Sequence, residues 1–315
     1  MMVRFLIRRI GFTLLTLWLV SVAVFAVTEV LPGDVAQAVL GQQATAESLA
    51  AVRAKLGLDR PPVERYVAWM GGLLHGDLGV SLRMGVPVAS ILGQRLQKSL
   101  ALAALAFLMG IPLSILLGTL AGVFRDRWPD TAITVGTLVA VSLPEFVTGV
   151  LLIVVFAGWL HWLPPSSLID AQANPLQALR FLILPALALT LVMLAHTARM
   201  TRASMVDALR TAYVRTAVLK GLPWRTVVVK HALRNALLPT ITVIAMNVGW
   251  LIGGLVVVEN VFSYPGVGRL LLDAVSYRDV PVLQAVTLAS ALIFSLASLL
   301  ADLLYAQLDP RIRYR

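Results

Sequence analysis

Few residues in this 315-residue chain could do chemistry, and their spacing excludes most catalysis. Its four histidines, His75, His161, His196 and His231, are scattered and show no H-E-x-x-H spacing, so neither a metal site nor a catalytic histidine is expected. There is no G-x-x-x-x-G-K-[ST] loop to cradle phosphates and no acidic metal cluster, so the chain itself does not hydrolyse ATP. The absence of cysteine rules out disulfides, thiolate metal sites and thiol nucleophiles. Two carboxylates remain inside apolar runs, Glu145 and Asp302, and an intramembrane acid that can be neutralised is what a proton- or sodium-coupled transporter would need. Asp302 lies close to the end of its run, where water reaches it. Glu145 follows Pro144, where a kink frees backbone groups, and it either faces a water-filled cavity or packs between helices. His196 lies near the end of another run beside Arg199, and either lines a path or sits at the interface. Pro144, Glu145 and His196 are thus the candidate path residues.

The elements that position these groups are membrane spans. Apolar residues make up 59% and charged residues 13%, with a mean hydropathy of +0.86, outside the range of soluble domains. Apolar runs at Ile10–Val27, Leu100–Val123, Phe181–Ala198, Leu238–Val258 and Val282–Tyr305 are long enough to cross a bilayer. The run Thr131–Leu160 is interrupted by Pro144 and reads as either one broken span or two short ones.

Charge chooses between them. With Arg4, Arg8 and Arg9 inside and Thr131–Leu160 counted once, sixteen of the 26 basic residues fall in the cytoplasm, eight of them between Arg199 and Arg234. Counting two spans would send those eight outside. An all-α integral membrane protein of six helices follows, with both termini cytoplasmic. The net charge of +10 is explained by this placement beside apolar spans and not by nucleic-acid binding. The first run has no A-x-A-like site after it and reads as a retained signal anchor, residues 1–30. A polar extracytoplasmic segment follows at 31–94, with a short helix Ala46–Leu56 opened by Thr45 and closed by Gly57. Residues 95–305 carry the remaining five spans and the loop 199–236, and 306–315 form a cytoplasmic tail.

Within that loop, Tyr213, Ala217 and Gly221 recur at four-residue intervals, and Gly221-Leu222-Pro223 ends the predicted helix. The small pair Ala217 and Gly221 is expected to leave a notch that a partner approaches. Two blander accounts compete: Lys230 and Arg234, on one helix face, contact anionic lipid, or the helix packs on its own chain.

An ordered series of motifs runs nearly end to end: Leu31-Pro-Gly-Asp34, Leu56-Gly-Leu-Asp-Arg-Pro61, Gly76-Asp-Leu-Gly-Val-Ser81, Leu143-Pro144, Val261-Phe-Ser-Tyr-Pro-Gly-Val-Gly268 and Leu308-Asp-Pro-Arg-Ile-Arg313. With residues 211–239, it resembles the permease subunits of type I ABC importers of the dipeptide/oligopeptide/nickel family. Residues 211–239 are similar to that family's EAA loop, whose coupling helix docks on the ATPase subunit, although Arg215-Thr216 and Leu233-Arg234 depart from the general pattern. The resemblance implies a type I importer permease fold in the cell inner membrane. It also implies ATPase-coupling roles for Tyr213, Arg215, Thr216, Ala217 and Gly221. The implied partners are a second permease subunit, two ATPases that bind ATP and magnesium, and an extracytoplasmic substrate-binding protein; no cofactor is bound by this chain. Peptides are the first substrate class, with nickel or metal chelates, glutathione and oligosaccharides as alternatives within the same importer class, and an ion-coupled secondary transporter as the alternative outside that class.

Overall fold

The computed structural model describes residues 2–30, 45–55, 59–168 and 174–308. Apart from one isolated antiparallel bridge, Val80 to Pro87, regular structure among these residues is helical. In chain order the helices are α1 (Met2–Val30), α2 (Ala46–Lys55), α3 (Pro62–Leu74), α4 (Val88–Val123), α5 (Trp128–Ser142) and α6 (Glu145–Leu152), which continues through π-helical turns Ile153–Trp159. Then come α7 (Pro175–Leu209), α8 (Ala212–Leu219), a turn Trp224–Thr226 with π-helical Val227–Leu233, α9 (Arg234–Val261), α10 (Val267–Ser276) and α11 (Val280–Leu308). The five uninterrupted apolar runs all lie in helices that extend beyond them. Polar flanks such as Gln94–Lys98 simply continue α4, because once nucleated a helix gains a hydrogen bond with each added residue.

Five segments are long and apolar enough to cross a membrane: Ile7–Glu29, Val88–Val123, Gln177–Leu209, Trp224–Leu251 and Val280–Leu300. The sixth predicted span departs from expectation. It is no kinked helix but two, α5 and α6, whose axes are bent by 109°. Leu143 adopts φ −89°, ψ 132° and Pro144 φ −57°, ψ 144°, so two consecutive residues are extended. Proline disfavours the helical conformation in the residue before it, and here that residue leaves the helix altogether.

The chain divides into two compact units, Met1–Ser99 with Pro265–Ser295, and Leu100–Tyr264 with Leu296–Arg315. In the second, α4 and α7 pack side by side through glycines. A Cβ at Gly110 would meet Met193 at 2.1 Å, one at Gly118 the Ala198 carbonyl at 2.5 Å, and one at Gly122 Met205 at 2.6 Å. Both sets of numbers rise together, so the two helices are parallel. Small residues that let backbones approach are the usual means of packing helices in lipid, where burial offers little driving force. Against α9 the numbers run oppositely: Leu189 lies by Gly254, Thr197 by Asn247 and Thr201 by Thr240, so α7 and α9 are antiparallel. Leu102, Ala106, Leu184, Leu189, Val258 and Phe262 form the core between these three helices. Parallel α4 and α7 run in the same direction, and counting the bent α5–α6 pair as one broken span gives the return between them that two parallel spans require.

In the first unit, Val88, Leu92, Val267, Leu270, Ala274, Val282 and Val286 form a separate core joining α4, α10 and α11. Thr45 caps α2, its Oγ1 accepting from the Ser48 amide at 3.2 Å, as expected. Gly57, Leu31–Asp34 and the tail beyond Leu308 lie outside the described residues, so the readings placed there stand as sequence expectations.

Candidate coupling loop and translocation path

The basic loop begins where α7 ends. Thr211 turns the chain, its hydroxyl donating to the Ala208 carbonyl at 2.5 Å, and α8 follows. It closes with Gly221 in the left-handed conformation, φ +75°. The Gly221 amide donates to Val218 O at 2.9 Å and the Leu222 amide to Ala217 O at 3.4 Å, the paired 5→2 and 6→1 bonds of a Schellman ending. Pro223, with no amide hydrogen to offer, then starts the turn into the π-helical stretch.

The notch is not where the spacing put it. Ala217 is 5% exposed and packs with Met205, Ala208, Val214, Val227, Val228 and Ala232 of its own chain. A four-residue stripe of small and aromatic residues marks a buried face, but cannot say whether the covering surface belongs to a partner or to the same chain. Gly221, by contrast, is exposed, with nothing within 4 Å of where its Cβ would be. Arg215 and Thr216 are exposed, and so is Tyr213, whose hydroxyl accepts from Asn235 Nδ2 at 2.8 Å. The outward surface also carries Val218, Leu219, Leu222 and Trp224, with Leu219 79% exposed. Four apolar side chains standing out of a polar loop form a surface suited to a protein partner.

Above this loop, α5 is tied to α7 by Asp130, which is 3% exposed. Its carboxylate accepts Arg202 Nε at 2.5 Å and Nη2 at 2.6 Å, with the Asp126 amide at 2.9 Å and Thr134 Oγ1 at 3.3 Å as further donors. A bidentate pair with its remaining lone pairs filled holds geometry well, and loss of either partner would strand a buried charge.

Midway along α7 and α9 a cleft of about 640 Å³ opens on one face. His196, Arg199 and Ala203 line it from α7, with Met246, Asn247 and Trp250 from α9. Asn247 is fixed by its Nδ2, which donates to Thr197 Oγ1 at 2.9 Å. Arg199 keeps Nε on the Ala195 carbonyl at 3.2 Å, while its side chain stays exposed. Pro144 and Glu145 do not join this cleft. Pro144 is the cap residue at the α5–α6 break, and Glu145 Oε2 lies 3.1 Å from where a Cβ on Gly254 would be. Gly254 is seven residues from Asn247 along α9, or about 10 Å of helix. That oxygen is buried and has no hydrogen-bond partner among the described residues.

Two further polar anchors lie outside the spans. Asp279, 4% exposed, accepts Ser81 Oγ at 2.5 Å, the Leu82 amide at 3.1 Å and the Arg83 amide at 3.3 Å, while the Arg83 guanidinium stacks on Tyr277. Tyr264 is buried, and burial pushes its phenol up to about 12, with the charge of Glu259 adding to the effect, so it remains a neutral packing group.

Residues 110–314 match the family described as binding-protein-dependent transport system inner membrane component, and residues 2–107 match that family's N-terminal component. The chain belongs to this permease family. A Brucella melitensis protein named, provisionally, as a peptide transport system permease is 38% identical over 314 residues. The glutathione transport system permease protein GsiC of Escherichia coli is 40% identical over 314 residues. In both comparisons the match covers 100% of this chain and 100% of the relative. The permease is therefore an inner membrane component of an ABC importer and not its catalytic subunit.

Of the residues expected to matter in the permease, the structure sets Tyr213, Arg215, Thr216 and Gly221 on the outward side of the loop, turns Ala217 inward, and places His196 in the cleft. The sequence reading missed Asn247 and Trp250, which meet His196 only through the antiparallel register of α7 and α9. An asparagine in the middle of an apolar run was the available signal. It also missed Asp130, an acid in the first turn of a span helix that begins Trp128-Pro129.

Proposed function

We propose that this permease forms half of the path by which an ATP-driven importer takes up small peptides, with the loop that follows α7, residues 210–236, as its joint to an ATPase subunit. The observation that carries the reading is the loop itself. It is braced from within by its own apolar cluster, so it can move as a rigid lever, while Val218, Leu219, Leu222 and Trp224 remain free to bury against a partner. Supporting the substrate class, the two relatives are named for peptide and for glutathione, itself a tripeptide. The α7–α9 cleft is the candidate stretch of path, closed by a second permease subunit. The extracytoplasmic binding protein docks on Glu29–Lys98 and Glu259–Val280.

The test is ATP turnover by proteoliposomes holding this chain with its partner subunits and binding protein. Trialanine or glutathione is expected to stimulate turnover; a response to nickel or an oligosaccharide alone would replace the peptide assignment. The partnerless oxygen of Glu145 favours one other reading, ion-coupled transport. Uptake that stops when the proton and sodium gradients are collapsed, with ATP still present, would establish it. Topology has its own check: a cysteine at Ser48 should label from outside intact cells, and labelling only after permeabilisation would invert the arrangement.

A further inference from the structure

The α7–α9 cleft has a chemical sign. Its polar lining consists of His196, Arg199, Asn247 and the indole of Trp250, and it contains no carboxylate. Arg199 carries a permanent charge and five N–H donors, only one of which is committed to the Ala195 carbonyl. It is exposed, as is His196, and both lie at the end of the apolar run Phe181–Ala198, in a helix that continues to Leu209. An arginine facing hydrocarbon is costly, so this face is turned to water or to protein. Glu145, at the start of α6, has its Oε2 3.1 Å from the Cβ position of Gly254, which the far end of the Trp250 ring approaches to 3.5 Å, but it is not among the residues that line the cleft. Asp130 is already consumed by Arg202 on another face of α7.

We propose that Arg199 is the station in the path that receives the substrate's carboxylate, flanked by His196 and Trp250 as further donors, so that the path favours anion-bearing solutes such as peptides and disfavours free metal cations. This rests on the cleft being part of the path. A guanidinium pairs with a carboxylate through two parallel hydrogen bonds, and a narrow low-dielectric lining concentrates its field. The deeper consequence is that charge selection would occur in the permease as well as at the binding protein.

The experiment uses the fact that the chain has no cysteine of its own. Ala203 lies one turn from Arg199 on the cleft face, close enough to feel its charge. In membranes containing the assembled transporter, Ala203→Cys is exposed to a negatively and a positively charged thiosulfonate reagent, and labelling of this chain is followed by mass. Each rate is divided by the same reagent's rate with free cysteine. We expect the negative reagent to be favoured by about tenfold or more, the preference to fall to near one in Arg199→Gln, and to survive in Arg199→Lys. A ratio near one with Arg199 intact, or a preference unchanged in Arg199→Gln, overturns the carboxylate station and leaves the path reading standing. If Arg199→Gln fails to assemble, the wild-type and lysine ratios decide alone. No reaction with either reagent, with or without nucleotide, while Glu47→Cys reacts, shows that the cleft is not water-filled and removes the path reading itself.

Discussion

The basic loop between α7 and α9 and the turn at residues 81–84 are both irregular stretches held in a fixed shape, and they reach it by opposite chemistry. The loop buries Val214, Ala217, Val227, Val228 and Ala232 together and ends α8 with a glycine. The turn at 81–84 has little to bury and is organised by one carboxylate, Asp279, accepting a hydroxyl and two amides. An apolar cluster tolerates loss of any one polar group and resists only insertion of charge or bulk. A carboxylate clasp has a single point of failure.

Four substitutions sharpen this contrast. Ala217→Arg should have the largest effect, because it forces a long charge into a close-packed cluster; about 3 kcal/mol or more is at stake. The expected outcome is loss of the loop's shape and of ATPase copurification together. Retained copurification would mean Ala217 does not face inward in the complex. Asp279→Ala should cost about 2–3 kcal/mol, by stranding donors that a charged acceptor had satisfied. It should act locally, with fast hydrogen exchange at the Leu82 and Arg83 amides and unchanged ATPase binding. Protection at those amides in the variant would show that the turn stands without its clasp. Gly221→Leu comes next, at about 1–2 kcal/mol, from forcing a branched residue into φ +75°. Gly221→Asn, which tolerates that region better, should recover most of the thermal stability in detergent. If the two variants melt alike, backbone strain is not the cause. Leu219→Ser should change stability by less than about 0.5 kcal/mol, since the side chain is 79% exposed. It should nonetheless weaken ATPase copurification, and normal copurification would take Leu219 out of the docking surface.

The spans were legible because a bilayer demands about twenty apolar residues in a row, and little else produces such runs. The break at Pro144 was legible as a break, but its 109° angle was not, since that depends on Leu143 leaving the helix as well. Ala217 was legible as one of a stripe but not as inward-facing, because periodicity gives the face and not what covers it. Arg199, Asn247 and Trp250 could not be grouped at all from sequence. They lie some fifty residues apart and meet through a register set by Thr197 with Asn247 and Thr201 with Thr240.

Gly110, Gly118 and Gly122 meet Met193, Thr201 and Met205, each pair separated by 83 residues. Three contacts at one constant offset act like teeth in a rack: neither helix can slide past the other by a residue without driving a side chain into backbone. Residues 110–122 of α4 and 193–205 of α7 are therefore packed as a single plank. The bent pair α5–α6 is fastened to the same plank by a different means, the buried pair of Asp130 with Arg202.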